Sequence, residues 1–403
     1  MKVDHKLALG IMLMSTTLMI TSCNNKDDSA PARNLAGIVQ KGPFINGSSM
    51  TVSDLKADLS PTGRTFETQI TDDKGIFQVK NASFTSNFIG LKADGFYFNE
   101  ITGKQSSSQI TLYAISDVTN KSSVNVNILT DLEMPRVEYL VSGGKTFADA
   151  KKQAQQEVMA IFNIYRNDTR SSEDLDISVE GPDNGILLAI SSIVQGFRTE
   201  SEMSELLANI SNDIKEDGIL DGADLGSALI NHAKYIDTLI IRNNLLARYS
   251  EIGAAASIPA FGKYISDFIA GTEFVVTGSP ITYPESATNP DNILSLTQTT
   301  YNGGFDYTHS LAANLAPGTS LKIRITALST DLDPVPVFYR SSGSEVNWTI
   351  QNFDFATYSQ TFTATETGKS CDLTMFFDPG TFLVEYFEMN SEEPARTKTI
   401  VCN

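Results

Sequence analysis

The chain has 403 residues, of which 41% are hydrophobic and 19% charged, and its 48 acidic and 30 basic residues give a formal net charge of −18. This composition is too apolar for a disordered chain, and the length predicts two to four domains. The acidic balance excludes a basic nucleic-acid-binding protein.

Residues 1–22 have the pattern of an export signal. Lys2 and Lys6 precede an apolar run, Leu7 to Ile20, that is too short to cross a bilayer comfortably. The run ends in Ile20-Thr21-Ser22-Cys23, which resembles the lipobox of bacterial lipoproteins, an aliphatic residue and two small ones before a cysteine. The resemblance implies that residues 1–22 are a cleaved lipoprotein signal peptide.

The same resemblance implies that the thiol of Cys23 carries acyl chains such as palmitate. Two or more acyl chains on one residue hold a protein stably on a membrane, so we expect a lipid anchor here. Residues 23–33 then form a lipidated tether. Its segment Asn24-Asn25-Lys26-Asp27-Asp28-Ser29 resembles the lysine-and-acidic export signal of Bacteroidota surface lipoproteins, which implies the outer face of the outer membrane. Ser29 also fits the O-glycosylation acceptor of that group.

Two cysteines remain once Cys23 is assigned to the lipid, namely Cys371 and Cys402. An exported protein meets an oxidising compartment, so these two are predicted to form a disulfide. The bond would stabilise the C-terminal part by about 3 to 4 kcal/mol through loop closure. The alternative is a pair of free buried thiols.

Residues 34–127 alternate short β-rich runs with turn residues, which predicts a β-sandwich. The predicted strands are Ala36 to Gln40, Ser49 to Leu55, Phe66 to Thr71, Gly75 to Val79, Phe88 to Ala93 and Gln109 to Tyr113, with turns at Gly42-Pro43, Pro61-Thr62-Gly63 and Asp72-Asp73-Lys74-Gly75. The aspartates suit the last turn, Gly75 can take a left-handed conformation, and Phe77 returns to the core.

Four segments in this part resemble the carboxypeptidase-regulatory-like, or prealbumin-like, domain: Gly37-Ile38-Val39, Gly47-Ser48 with Val52, Thr71 to Phe77, and Ala93 to Phe98. The resemblance covers about a quarter of the chain. It implies a β-sandwich that serves as a spacer, docking or carbohydrate-binding module and brings no catalytic residue.

Residues 128–270 change from period two to period 3.6, which predicts a helical bundle. Thr146 is predicted to cap a helix whose apolar face includes Ala150, Ala154 and Val158. Further helices are predicted at Gly185 to Phe197, at Glu202 to Ile214 and, as one longer helix, from Leu225 to Tyr249. Thr130 and Glu133 resemble a capping box, although Pro135 would disturb the next turn.

Residues 271–290 have the composition of a linker, and residues 291–403 return to short strands. The predicted strands are Leu294 to Thr300, Phe305 to Ala312, Ser320 to Leu328, Val335 to Tyr339, Val346 to Ile350, Gln360 to Thr365, Asp372 to Phe377, Thr381 to Met389 and Thr397 to Cys402. We expect an immunoglobulin-like or jelly-roll β-sandwich. The fold class expected for the whole chain is multidomain α+β.

Few residues offer catalytic chemistry. Beyond the signal the chain has only two histidines, His232 and His309, too few for the usual zinc sites, and no Gly-x-Ser-x-Gly nucleophile turn. His232 lies on an apolar helix face and is predicted to be a core histidine. The loop Ser142 to Thr146 resembles the end of a phosphate-binding loop but is better explained as a helix end. We therefore expect no enzyme, no catalytic residue and no cofactor.

The loop Asp213 to Asp224 has acids at four positions of an EF-hand-like loop and glycine at Gly218. Lys215 stands where a ligand oxygen belongs, and Asp224 replaces the usual bidentate glutamate. The favoured interpretation is an acidic turn between helices, and the alternative is a weak calcium site. In that reading Gly218 is left-handed, and Asp221 or Asp224 caps the next helix.

The function expected is a non-catalytic outer-membrane lipoprotein that binds or adheres to an extracellular polymer, protein or glycan, or serves as an accessory subunit of an outer-membrane complex. The alternatives are a hydrolase with an unrecognised carboxylate site and a structural pilus-like or coat subunit. Expected partners are the membrane, through Cys23, and an extracellular ligand, not nucleic acid. Aromatic side chains of the β-rich parts that could stack on sugars are Tyr97, Tyr113, Phe338, Tyr339, Trp348 and Tyr358, although we expect most of them to lie in the core.

Overall fold

The computed structural model describes residues 32–277 and, in the C-terminal part, residues 296–301, 304–311, 321–328, 337–340, 348–350, 359–364, 371–377, 380–387, 394 and 396–402. Within these residues the chain has a mixed α+β fold with several antiparallel sheets and seven α-helices.

From residue 32 onward, nine strands precede the first described helix. They are β1 (Arg33–Gln40), β2 (Ser49–Leu55), β3 (Pro61–Gln69), β4 (Ile76–Ala82), β5 (Phe88–Gly95), β6 (Phe98–Asn99), β7 (Lys104–Gln105), β8 (Ile110–Asp117) and β9 (Val126–Asn127). Four of them form an antiparallel sheet in the order β3-β2-β5-β8, and three form a second sheet in the order β4-β1-β9, in which β9 runs parallel to β1. All six predicted strands are confirmed. The strands β6, β7 and β9 were not predicted, because each has only two residues and is too short to show the period-two pattern of a strand.

The first turns show how local chemistry sets the register. The carboxylate of Asp72 accepts the N–H groups of Lys74 and Ile76, and Gly75 has a φ of +79°. A side chain at Gly75 would also meet the Val39 carbonyl. The turn predicted at Pro61-Thr62-Gly63 is wrong, because these residues begin β3 and Pro61 pairs with Leu55. Proline is tolerated there because it is the first residue of an edge strand, where no N–H is needed for a hydrogen bond to a neighbouring strand.

The seven helices are α1 (Ile128–Ser142), α2 (Phe147–Ile161), α3 (Pro182–Gln195), α4 (Glu200–Asp213), α5 (Ala223–Ala233), α6 (Thr238–Glu251) and α7 (Gly262–Gly271). A short 3₁₀ helix, Ser172–Asp174, precedes α3. The cap predicted at Thr146 is confirmed, because its side chain accepts the N–H of Asp149. The capping box predicted at Thr130 is wrong in position. Asn127 caps α1, and Thr130 is its partner at the third helical residue.

The single helix predicted from Leu225 to Tyr249 is also wrong. α5 ends at Ala233 and α6 begins at Thr238. The carboxylate of Asp237 accepts the N–H of Ile240, which is the hydrogen bond of an N-cap, so a new helix starts there. The apolar period continues from α5 into α6 because both helices bury the same side. Periodicity alone therefore did not reveal the break between them.

The strands and helices of residues 32–277 share one apolar core. A continuous cluster of buried side chains runs from the strands, for example Leu35 and Leu91, through α3 at Ile190 to α7 at Phe268. A second cluster joins Ile115 of β8 to Val137 of α1 and Ala154 of α2. No spacer separates the strands from the helices, since Asn127 is both the last residue of β9 and the cap of α1.

The chain beyond α7 packs against the helices before it leaves the described region. A side chain at Gly226 of α5 would collide with the Phe274 ring, and the N–H of Thr277 donates to the hydroxyl of Ser227 at 2.7 Å. The start of the predicted linker, residues 272–277, is therefore bound to α5. The remainder of that prediction, residues 278–290, lies outside the described residues.

The described residues of the C-terminal part form nine strands, and all nine were predicted. They are β10 (Leu296–Tyr301), β11 (Gly304–Leu311), β12 (Leu321–Ala327), β13 (Val337–Arg340), β14 (Trp348–Ile350), β15 (Ser359–Ala364), β16 (Cys371–Phe377), β17 (Gly380–Phe387) and β18 (Arg396–Cys402). They form two antiparallel sheets with the orders β10-β11-β16-β13 and β14-β15-β12-β17-β18.

Candidate functional site

A groove of about 570 Å³ lies where β8 meets α1 and the end of α4. This volume is typical of small-molecule sites. We call it the Asp131 groove. The residues that matter most for its chemistry are Tyr113, Asp131, Met134, Leu207, Asn212 and Lys215.

The groove exists because α1 replaces a strand partner at the edge of β8. The N–H of Tyr113 donates to the Asp131 carboxylate at 2.9 Å, and the hydroxyl of Thr130 donates to the Tyr113 carbonyl at 2.9 Å. Both polar groups of this edge residue are therefore satisfied by side chains from the first turns of α1. The backbone N–H and C=O of Thr111 point toward the same edge, because alternate residues of a strand direct these groups to the same side. It lines the groove beside Tyr113.

The Asp131 carboxyl is the titrating group of the groove. Burial raises its pKa to about 7, although the hydrogen bond from the Tyr113 N–H opposes the rise. Near neutral pH the carboxyl is therefore both protonated and ionised in comparable amounts, so it can donate or accept a hydrogen bond. Pro135, one turn later in α1, has no N–H for the Asp131 carbonyl, which leaves that carbonyl without its usual helical partner.

The groove combines apolar and polar lining. The Tyr113 side chain is 39% exposed, and Met134 and Leu207 supply apolar surface beside it. Asn212 and Lys215 supply hydrogen-bond donors from the end of α4 and the turn after it. Such a lining suits a ligand that has both an apolar face and hydroxyl groups.

A second cavity, of about 430 Å³, lies where α2 meets the 3₁₀ helix, and its floor is a buried charge network. The Lys151 ammonium lies 2.7 Å from Glu133 and 3.1 Å from Glu173, and the Ser116 hydroxyl donates to Glu173 at 3.2 Å. Burial lowers the pKa of Lys151, but the two carboxylates outweigh it and raise that pKa overall. Lys151 therefore stays charged and is a poor general base, so we assign this network to structure.

Another buried pair joins the strands to α3. Lys41 donates to Glu100, and both side chains are fully buried. The Tyr97 hydroxyl beside them donates to Gln195 of α3 at 2.6 Å. Sequence reasoning missed both charge networks, because neither a lysine next to a turn, such as Lys41, nor one within a helix, such as Lys151, gives a sign in the sequence that it is buried.

His232 has a hydrogen-bond partner, as predicted, but it is half-buried rather than a core residue. Its Nδ1 accepts the N–H of Phe197 at 3.0 Å. Burial, with the nearby charge of Arg198, lowers the pKa of His232 to about 3, so the ring is neutral at physiological pH. His309 lies on β11, opposite Leu296 and Leu373.

The acidic loop is the predicted turn between helices, with Gly218 at a φ of +80°. The predicted cap is wrong: Gly222 precedes α5 and makes no side-chain cap. The Asp221 N–H instead donates to the carboxylate of Asp213, the last residue of α4. The end of the loop is therefore bonded to the preceding helix and not to the next one. Within the described residues, no three His, Cys, Asp or Glu side chains gather in a way that could hold a metal ion.

The other singled-out residues divide into four groups. Ser142 ends α1 and Thr146 caps α2, as predicted for that loop. Tyr97 is fully buried, so its proposed exposure to sugars is wrong, whereas Tyr113 is exposed. Phe338 and Tyr339 lie on β13 and Trp348 on β14. Cys23, Ser29 and Tyr358 lie outside the described residues.

The two remaining cysteines lie in different sheets. Cys371 begins β16 opposite Leu311, and Cys402 ends β18 opposite Gly380. Their disulfide stays a prediction.

No protein-family model matches the sequence, and no curated protein matches it. Across the part of the chain that the structure covers, none of the helices has the length and apolar character needed to span a membrane.

Proposed function

We propose that this protein is a non-catalytic, lipid-anchored protein of the outer membrane that faces the cell exterior and binds an extracellular glycan in the Asp131 groove. In this proposal a carboxypeptidase-regulatory-like β-sandwich (34–127) and a helical domain (128–270) form the binding unit. Residues 291–403 form a further β-sandwich tied by the Cys371–Cys402 disulfide.

One observation carries the binding proposal: an exposed aromatic ring and a half-buried carboxyl meet in the same groove. Sugar rings present apolar C–H faces that pack on an aromatic ring such as Tyr113, and hydroxyl groups that pair with a carboxyl or an amide. Asp131 and Asn212 offer those two groups. The likeness of residues 34–127 to a domain that includes carbohydrate-binding members supports the same conclusion.

The groove supports binding better than hydrolysis. Asp131 is the only carboxylic acid among the described residues that line it. Glycoside hydrolysis ordinarily uses two carboxyl groups on opposite sides of the bond to be broken. The groove therefore supplies recognition without the second acid that the rival hydrolase hypothesis requires.

Replacing Tyr113 with alanine is expected to weaken glycan binding by at least about tenfold, because stacking on an aromatic ring is worth about 1 kcal/mol or more beyond its buried area. The measurement is calorimetric titration of the protein lacking residues 1–23 with glucose-, mannose-, xylose- and galactose-based oligosaccharides. The Tyr113 backbone bonds to Thr130 and Asp131 remain in this variant, so we expect it to fold.

The matched control is Tyr139→Ala on α1. Tyr139 is 40% exposed, nearly the same as Tyr113, but does not line the groove. We expect this variant to bind as the wild type does. Equal losses in the two variants, or no binding of any oligosaccharide by the wild type, would contradict the glycan proposal.

The anchor is tested on intact cells by protease accessibility. We expect external protease to remove the wild-type protein, and Cys23→Ala to release it from the membrane fraction, since the acyl chains are lost. Replacing Lys26, Asp27 and Asp28 with alanine should leave the protein in the membrane but protected from protease. Protection of the wild type would mean a periplasmic orientation and would overturn the surface proposal.

A further inference from the structure

The outer face of the β3-β2-β5-β8 sheet is polar where it adjoins the Asp131 groove, whereas its other end, at Leu55, Phe88 and Ile115, packs against α1 and α2. The alternation of each strand sends Met50, Leu91 and Leu112 into the core and the intervening side chains outward. The outward side chains of the polar part, none of them fully buried, are Ser49, Thr51 and Ser53 of β2, Thr65, Glu67 and Gln69 of β3, Lys92 and Asp94 of β5, and Thr111 and Tyr113 of β8. We call this surface the sheet track.

The register arranges these side chains in rows across the four strands. One row runs Tyr113, Lys92, Thr51 and Glu67, and the next runs Thr111, Asp94, Ser49 and Gln69. Neighbouring strands lie about 4.8 Å apart, so each row is about 14 Å long. The Thr111 hydroxyl donates to Asp94 at 2.8 Å, which holds that carboxylate in place within its row.

Both rows start inside the groove. Tyr113 and Thr111, the β8 members of the two rows, also line the Asp131 groove. A chain-like ligand bound against Tyr113 can therefore leave the groove only a short step away from Lys92 and Asp94, and continue toward Thr51 and Ser49. The groove and the sheet track form one continuous surface.

The chemistry of the track favours a glycan over a protein partner. Protein interfaces place aromatic and aliphatic side chains at their centre, but within the sheet track the central strands β2 and β5 present only Ser, Thr, Lys and Asp side chains. Hydroxyl, amide and charged side chains at this density match the many hydroxyl groups of an uncharged sugar chain. The two acids Asp94 and Glu67 and the single Lys92 also disfavour a polyanion.

We propose that the sheet track extends the Asp131 groove, so that the protein binds an uncharged glycan chain several sugar units long, with one end in the groove and the rest lying across β5 and β2. This inference rests on the proposed function, because the groove provides the first contact. It adds the substrate class, a linear neutral polysaccharide rather than a free mono- or disaccharide.

The test is the dependence of affinity on ligand length. The oligosaccharide type that the wild type binds is titrated as a series from disaccharide to octasaccharide, and we expect affinity to rise by about tenfold or more with length. Thr51→Glu places a strongly hydrated carboxylate in the middle of the track and should abolish this gain. The disaccharide affinity should stay within about twofold of the wild type, because the groove is unchanged.

Two further variants keep the test decisive. Thr51→Val keeps the shape of the side chain and removes only its hydroxyl, so it reports on the track even if the glutamate disturbs the sheet. Thr102→Glu makes the same charge change at an exposed residue between β6 and β7, and should behave as the wild type does. A length-dependent gain that is lost in both Thr51 variants but kept in Thr102→Glu supports the track.

The possible failures separate the two proposals. If the wild type binds short and long oligosaccharides equally, or if the Thr51 variants keep the gain, the sheet track is overturned and the groove proposal stands. If no oligosaccharide of any length binds, the proposed function fails, and the track fails with it.

Discussion

Glu100→Gln is expected to lower the free energy of unfolding by at least about 3 kcal/mol. The change leaves the Lys41 ammonium fully buried without a carboxylate, beside the Tyr97 ring and beneath α3. Burial already lowers the pKa of Lys41, while the charge and hydrogen bond of Glu100 oppose that shift. Without Glu100, folding must either bury an unpaired charge or remove its proton. Urea denaturation followed by circular dichroism measures the loss.

Two controls show whether the loss comes from the buried pair. Glu67→Gln makes the same change on an exposed strand position and should alter stability by less than about 0.5 kcal/mol. The double variant Lys41→Met with Glu100→Leu removes both charges and should recover much of the stability, because apolar replacements of a buried pair are often neutral. If Glu100→Gln were as stable as Glu67→Gln, the pair would not contribute as described.

Lys151→Met should be comparably destabilising, by about 3 to 5 kcal/mol near pH 8. The change leaves the carboxylates of Glu133 and Glu173 buried together without the ammonium between them. Burial raises the pKa of Glu133 even in the wild type. Burial alone would do the same to Glu173, but the ammonium groups of Lys151 and Lys121 outweigh it and lower that pKa. Without Lys151, the folded state should raise both pKa values above those of the unfolded chain.

The sign of the pH dependence follows. A carboxyl group whose pKa is raised by folding favours the folded state at low pH and loses that contribution as the pH rises through its folded pKa. The deficit of Lys151→Met should therefore be largest at alkaline pH and should shrink toward pH 5. The neighbouring, exposed Lys152→Met is the matched control and should show neither the loss nor the pH dependence. A deficit that does not change with pH would instead indicate lost packing.

Period and turn chemistry predicted the fold well wherever each element is decided by its own residues. The strand Ser49–Leu55 and the cap at Thr146 are such cases. Some errors had a local cause, such as the N-cap of Asp237 that separates α5 from α6, and others involve residues far apart in the chain. Asn127 caps α1 by accepting the N–H groups of Leu129 and Thr130, and its amide also donates to the carbonyl of Ser172, far along the chain. A local pattern cannot show this second bond.

The candidate site shows the same limit. Tyr113 was a candidate from sequence, but Asp131 was not, because an acid in the first turn of a helix normally signals only a favourable helix dipole. Its role depends on α1 crossing the edge of β8, where the Tyr113 N–H meets it. The sheet track likewise depends on register across four strands, and a single sequence does not determine that register.

Asn127 also bears on how proteins of this kind can be recombined. A boundary between residues 127 and 128 follows the change of hydrophobic period, but a chain cut there would lose the α1 cap and uncover the core that the strands share with the helices. The strands cannot be exchanged between proteins as a free-standing cassette. Residues 32–277 have to be transferred together, so gene fusions that preserve binding should join the chain before β1 or after Thr277.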